Sequence, residues 1–188
     1  MDKWHGEKVI YSKEGKVLQK GEYKNGVEHG VFKKYYENEQ LEILVNVENG
    51  KRRSEIGYHE NGKFRFSAEL NKLGKAHGKF ISHYDNGQLK SKGVFKNGKH
   101  EGEWQEYYED GSLKSIIMYK FGKYHGPVIE YLNLEDTGLE WAYTFHKGTY
   151  QCHFQIGLWK YYNKSGELLR EYDFGEREFP TEKNGCRY

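Results

Sequence analysis

Gly102-Glu103-Trp104-Gln105-Glu106-Tyr107-Tyr108-Glu109-Asp110-Gly111-Ser112-Leu113 is the stretch that decides the fold. It reads glycine, any residue, aromatic, a short spacer, a tyrosine pair, a turn ending in Gly, and then Leu. The same frame stands at Gly78-Lys79-Phe80 with Tyr84, Asn86-Gly87 and Leu89, and at Gly30-Val31-Phe32 with Tyr35, Tyr36 and Leu41. It returns at Gly157-Leu158-Trp159 with Tyr162, Ser165-Gly166 and Leu168. Glycines open the units at Gly6, Gly30, Gly78, Gly102 and Gly126, with Ser54 in the third place. A second series, Gly26, Gly50, Gly74, Gly98 and Gly122, recurs every 24 residues without a slip. Self-similarity at a fixed period is the signature of a repeat architecture, in which each unit is one supersecondary element.

Each unit should be two strands. Asn25-Gly26, Asn49-Gly50, Asn61-Gly62, Asn86-Gly87, Asn97-Gly98 and Asp110-Gly111 are hairpin signals, because a two-residue type I′ turn needs positive φ at both central positions. Between them the sequence alternates with period two: Leu41, Ile43, Val45 and Val47 on one side, then Phe64, Phe66, Ala68 and Leu70, then Leu113, Ser115, Ile117 and Tyr119. No window offers apolar residues at helical spacing over ten positions without glycine, so helix content is expected near zero. Two strands per unit predict about fourteen in all, each joined to its sequence neighbour in an antiparallel meander. The expected fold is all-β: an elongated, twisted sheet of about seven stacked hairpins, covering residues 1–175, with a polar tail over 176–188 that could cap one edge. Alternation sets Trp104 and Tyr107 on opposite sides, so both faces carry aromatics. Those tyrosines either stack on cross-strand neighbours to stiffen the sheet or form a broad amphipathic surface for a protein ligand.

Composition agrees. Of 188 residues, 36% are hydrophobic and 31% charged, too little apolar material for the thick core of a large α/β enzyme. The 17 Tyr, 10 Phe and 4 Trp argue against disorder, since they gain by burial. A formal charge of +2, with Lys alternating with Glu, gives no cluster to hold a nucleic acid. No stretch approaches eighteen apolar residues, and the start Met1 to Tyr11 lacks the apolar run of a signal peptide, so no integral membrane segment and a cytoplasmic location are expected.

The beat breaks once, because Gly126 to Gly157 is 31 residues. The extra length is read at two places, Leu132 to Gly138 and Gly148 to Gly157, and insertions in repeats map to loops, often on a binding face. Cys152 and Cys186 could in principle pair, but two cysteines do not make a disulfide framework or a four-ligand zinc site, and they read as buried or incidental thiols. His5, His29, His77 and His125 each precede a unit glycine. Equivalent strands two apart lie near 10 Å from each other, too far to share a zinc, so these are repeated turn residues. There is no nucleophile elbow, zinc-protease helix, phosphate loop or dinucleotide fingerprint. The chain is not read as an enzyme and needs no cofactor.

The pattern Gly-x-Trp-x-x-Tyr-Tyr with a following Gly-x-Leu in Gly102 to Leu113, and Tyr-x-x-Gly in Tyr119 to Gly122, resembles the bacterial variant of the MORN repeat over about residues 4 to 175. The third unit departs, with Ser54-Glu55-Ile56 where glycine and an aromatic belong, and so does the stretched sixth. The resemblance implies an interaction scaffold, and in its narrower form an antitoxin or immunity protein that neutralises a cognate toxin encoded beside it by steric occlusion. The alternative it implies is a non-catalytic scaffold for protein assembly or peripheral membrane attachment. The candidate protein-binding residues are Phe80, Tyr84, Trp104, Tyr107, Tyr108, Tyr131, Glu135, Asp136, Trp141, Tyr150 and Trp159, together with the loops Asn133 to Gly138 and Thr149 to Ile156. Unprotected first and last strands would also invite pairing with a second copy.

Overall fold

The computed structural model describes residues 4–132 and 144–177. Among them lie fourteen strands: β1 (Gly6–Tyr11), β2 (Val17–Lys24), β3 (Val27–Tyr35), β4 (Leu41–Glu48), β5 (Lys51–Tyr58), β6 (Phe64–Leu70), β7 (Ala76–His83), β8 (Leu89–Lys96), β9 (Lys99–Tyr107), β10 (Leu113–Lys120), β11 (Lys123–Tyr131), β12 (Phe145–Gln151), β13 (Phe154–Tyr162) and β14 (Leu168–Asp173). Strand order is chain order, with β1 and β14 at its ends. The all-β fold of antiparallel hairpin repeats at a 24-residue period is as the sequence predicts. The chain divides into two compact units, Met1–Gly98 and Lys99–Tyr188.

The turns are of two kinds, where the sequence suggested one. Asn25-Gly26, Asn49-Gly50, Asn97-Gly98 and Phe121-Gly122 have positive φ at both residues and close two-residue turns. At Asn61-Gly62, Asn86-Gly87 and Asp110-Gly111 only the glycine is left-handed. There Tyr84 N–H donates to the Gln88 carbonyl at 2.9 Å and Gly87 N–H to the Tyr84 carbonyl at 3.0 Å, with the same pattern at His59 and Tyr108. That is a type I turn closed by a left-handed glycine, the usual three-residue hairpin. The dipeptide is the same; the extra residue before it changes the turn.

The stretched sixth unit is also corrected. Gly148 lies inside β12, opposite Val128, and the turn after it is Cys152-His153, with φ of 56° and 71°. Thr149 to Ile156 is therefore a regular hairpin, missed because neither turn residue is glycine. Val128 to its partner Gly148 is 20 residues where Trp104 to its partner Ile117 is 13, so all the added chain falls between Tyr131 and Phe145. Cys152 is buried and disulfide-bonded, not a free thiol; the other cysteine, Cys186, lies outside the described residues.

One face of each unit holds its buried side chains. In the first unit Phe32, Val45 and Val47 pack with Tyr23 and Ile43. In the second, Ile117, Val128, Trp159 and Tyr161 pack with Tyr119, Tyr124 and Tyr150. A sheet has no second layer to bury its apolar face, so these rings shield one another sideways. His100, Tyr119, Tyr124, Tyr150, Trp159 and Phe174 follow in a chain with centroid separations of 4.8, 5.1, 5.1, 4.9 and 6.2 Å. Small residues make room beneath the largest rings. A Cβ on Gly148 would fall inside the Trp159 indole, and one on Gly21 inside the Phe32 ring.

Side chains at the hairpin tips fasten successive units. Tyr36 Oη donates to the Tyr58 carbonyl at 2.9 Å, Asn38 Nδ2 to Glu60 at 3.0 Å, Asn61 Nδ2 to Asp85 at 2.8 Å, and Tyr108 Oη to Tyr131 at 2.7 Å. At the opposite edge, His5 Nδ1 and His77 Nδ1 accept long bonds of 3.5 and 3.4 Å from the turn amides of Asn25 and Asn97. These histidines serve the turns.

Candidate protein-binding surface

The pairing register sorts the predicted residues. Trp104 is 4% exposed and Trp159 0%, both on the buried face. Trp159 Nε1 also donates to the Thr149 carbonyl at 3.3 Å. Phe80 shares that face in the first unit, between Phe66 at 6.3 Å and Phe95 at 5.3 Å. Tyr150 bridges Tyr124 and Trp159. Tyr84 and Tyr108 stand at the hairpin tips, where Lys90 and Lys114 lie 5.1 and 5.8 Å above their rings. Tyr131 packs at a tilt against Phe145, with ring centroids 5.3 Å apart. Glu135, Asp136 and Trp141, with the Asn133 to Gly138 loop, lie outside the described residues. Of the described members, Trp104 and Trp159 lie on the buried face of the second unit, where they hold up the sheet.

Tyr107 belongs to the other face. Its hydroxyl donates to Gln105 Oε1 at 2.7 Å, and Gln105 Nε2 donates to Glu103 at 2.7 Å, a line of polar groups at alternate positions of β9. Following register across the second unit from Gln105 gives Ile116, Ile129, Lys147, Lys160 and Glu171. Lys160 Nζ meets Glu171 at 3.0 Å, and that bond raises the lysine's pKa. In the first unit the corresponding row runs Lys20, Lys33, Leu44, Ile56, Ser67, Ile81, Lys92. It is apolar in the middle and basic at both ends, with exposed Val31 and Val94 beside it. An apolar centre with a charged rim on an ordered backbone is the arrangement of a protein interface. Sequence reasoning missed this row, since its members come from separate strands and only the register aligns them.

On the buried face of the first unit, the ladder is interrupted once. Phe32 pairs with Val45, and Val45 with Glu55, which in turn pairs with Ala68 opposite Phe80. Glu55 occupies the station an aromatic should hold, and Arg52 pairs with it at 3.0 Å. An open cavity of about 240 Å³ lies alongside, floored by Phe32, Ile43, Val45 and Val47 and rimmed by Glu28, Glu42, Lys34 and Arg52. In the second unit Glu130 Oε2 and buried His146 Nε2 on the analogous line are hydrogen-bonded at 2.9 Å, beneath Trp159 and Tyr161. Burial also lowers the pKa of His100, whose ring rests 3.9 Å from Trp104, and of His125. Among the described residues no group of three or more His, Cys, Asp or Glu could hold a metal ion.

Stretches 4–25, 28–49, 76–97 and 101–121, just under half of the chain, match the family model described as a MORN repeat variant. Over those stretches the chain is built of MORN-variant repeats. The matched stretches correspond to hairpins β1–β2, β3–β4, β7–β8 and β9–β10; the unmatched third unit is the one with Glu55 at the aromatic station. No curated protein matches the chain. Among solved structures it is similar to a crystal structure of accessory secretory protein 1,2 and 3 in Streptococcus pneumoniae, at 17% identity over 55% of this chain, with a TM-score of 0.32. The chain covers 19% of the length of that protein. The chain is a non-catalytic repeat module of the protein-binding kind, and among the described residues no helix is long and apolar enough to cross a membrane.

Proposed function

We propose that this protein is a scaffold that binds another protein across the sheet face opposite its aromatic core. The observation that carries the reading is the row Lys33, Leu44, Ile56, Ser67, Ile81, Lys92, set in register by five consecutive strand pairings. Leu and Ile there are half-buried, not sealed, while the opposite face closes over Phe32, Val45 and Val47. Ladder pairing fixes the backbone in advance, so a partner gains contact area with little ordering cost.

The narrower form of the proposal is neutralisation: the partner is a toxin encoded beside this chain, and the sheet occludes its active site. Its support is the match to MORN-variant repeats and the resemblance of such all-repeat chains to immunity proteins. A cytoplasmic site of action suits that form, whereas the disulfide at Cys152 suits an oxidising compartment; thiol trapping in fractionated cells decides between them. The test is co-expression with the product of the adjacent gene. A one-to-one complex that relieves growth arrest supports neutralisation. A complex with no change in growth supports the scaffold alone, and no complex with that product removes the toxin reading.

A further inference from the structure

We propose that copies of this chain associate head to tail, β14 of one pairing antiparallel with β1 of the next in the register the repeat uses internally. The last strand is built as an interior strand. Trp104 pairs with Ile117 in β10, and Trp159 pairs with Tyr172 in β14, so Tyr172 holds the station of Ile117. Ile117 is 5% exposed and Tyr172 52%. The aromatic chain that ends at Phe174 stops there with that ring 41% exposed. At the other end, Trp4 rests on Tyr23 at 5.0 Å and is 49% exposed. Trp4 stands five periods before Tyr124, which packs against Tyr119 inside the second unit.

Laying β14 and β1 in the β10–β11 register makes the match specific. Tyr119 opposite Tyr124 becomes Phe174 opposite Trp4, and Ile117 opposite Val128 becomes Tyr172 opposite Lys8. Lys8 already lies 5.8 Å over the Tyr23 ring, so its ammonium would sit between two tyrosines. Arg170 falls opposite Ile10. The occupant each edge lacks is the other edge. No described residue pairs with the outer side of β1 or β14, and unpaired edge amides and carbonyls are a template for another strand. Because the two surfaces differ, the contact is heterologous, and each added copy presents a fresh edge to the next.

The test uses the full chain in sedimentation velocity at rising concentration, with circular dichroism to confirm folding. Mass should climb above 22.3 kDa with concentration. Ile10→Arg, which sets arginine against Arg170, and Tyr172→Lys, which sets lysine against Lys8, should each sediment as monomers. Mixed together they should form a dimer of twice 22.3 kDa, since one keeps β14 and the other keeps β1. Leu169→Lys serves as a second β14 variant if Tyr172→Lys misfolds. A full chain monomeric at every concentration overturns the proposal. So does an Ile10→Arg variant that still dimerises, because that contact would be β14 with β14. Association that appears only after removal of residues 178–188 overturns it too, since the tail would then be the occupant of the edge.

Discussion

Gly148→Ala should cost more than an added methyl ordinarily does, and the cost should vanish when Trp159 is cut away. Gly148 lies in the middle of β12 without a left-handed φ, so its backbone admits alanine. The obstacle is steric: the new Cβ would fall within the Trp159 indole, a fully buried ring pinned by Tyr150 at 4.9 Å and His146 at 5.3 Å. A ring held on both sides cannot step aside, so the loss should be about 2–3 kcal/mol, the upper part of the overpacking range. Trp159→Ala alone should cost about 3–5 kcal/mol as a large-to-small core change. In the double variant the methyl has space, and the losses should fall short of additive by about 2 kcal/mol. Urea unfolding followed by far-ultraviolet circular dichroism gives all four corners of the cycle. Additive losses within about 0.5 kcal/mol would refute the claim that the glycine is there for the ring.

The other predictions are smaller in scale. Burial lowers the pKa of His100, so the folded state disfavours its proton; its share of stability is full above the ordinary value of 6.5 and is lost as pH falls below it. The urea midpoint should therefore drop between about pH 7.5 and pH 5, and drop less in His100→Gln. Asn97→Ala, at a left-handed turn position with φ 54°, should lose about 1 kcal/mol, and Asn97→Gly should lose nothing measurable. Equal stabilities would contradict the two-residue turn. Alkylation under non-reducing conditions should leave Cys152 unlabelled, and labelling of the folded protein at that residue would deny its disulfide.

The glycine beat made the strands legible because a left-handed turn residue is a local requirement, written in the chain where it acts. Turn type was not, since Asn-Gly serves both a two-residue turn at Asn97 and a three-residue turn at Asn86. Gly148 misled for a related reason: a glycine kept for a neighbouring ring looks like a glycine kept for a turn, while the real turn uses Cys152 and His153. Alternation correctly put Trp104 and Tyr107 on opposite sides. It could not say that the tryptophan side is the buried one. Leu44, Ile56 and Ile81 were illegible as a group because each is a single aliphatic residue in its own strand, joined only by hydrogen-bond register. Glu55 reaches the aromatic station because the register between β4 and β5 shifts by one residue at Asn46/Val47, where it shifts by two between β2 and β3, β6 and β7, and β10 and β11, which moves the inward set of β5 by one.

Binding across the face opposite the aromatic core is tested most directly by titrating the adjacent gene's product into three folded proteins: the natural chain, Ile56→Glu with Ile81→Glu, and Tyr84→Ala. The two glutamates lie in one row on that face, and Tyr84 stands at a hairpin tip away from it. Calorimetry should give saturable binding to the natural chain and to Tyr84→Ala, and loss of at least about 2 kcal/mol, roughly thirtyfold in affinity, for the glutamate pair. Unchanged affinity in the glutamate pair would place the partner elsewhere and contradict the assignment of this face.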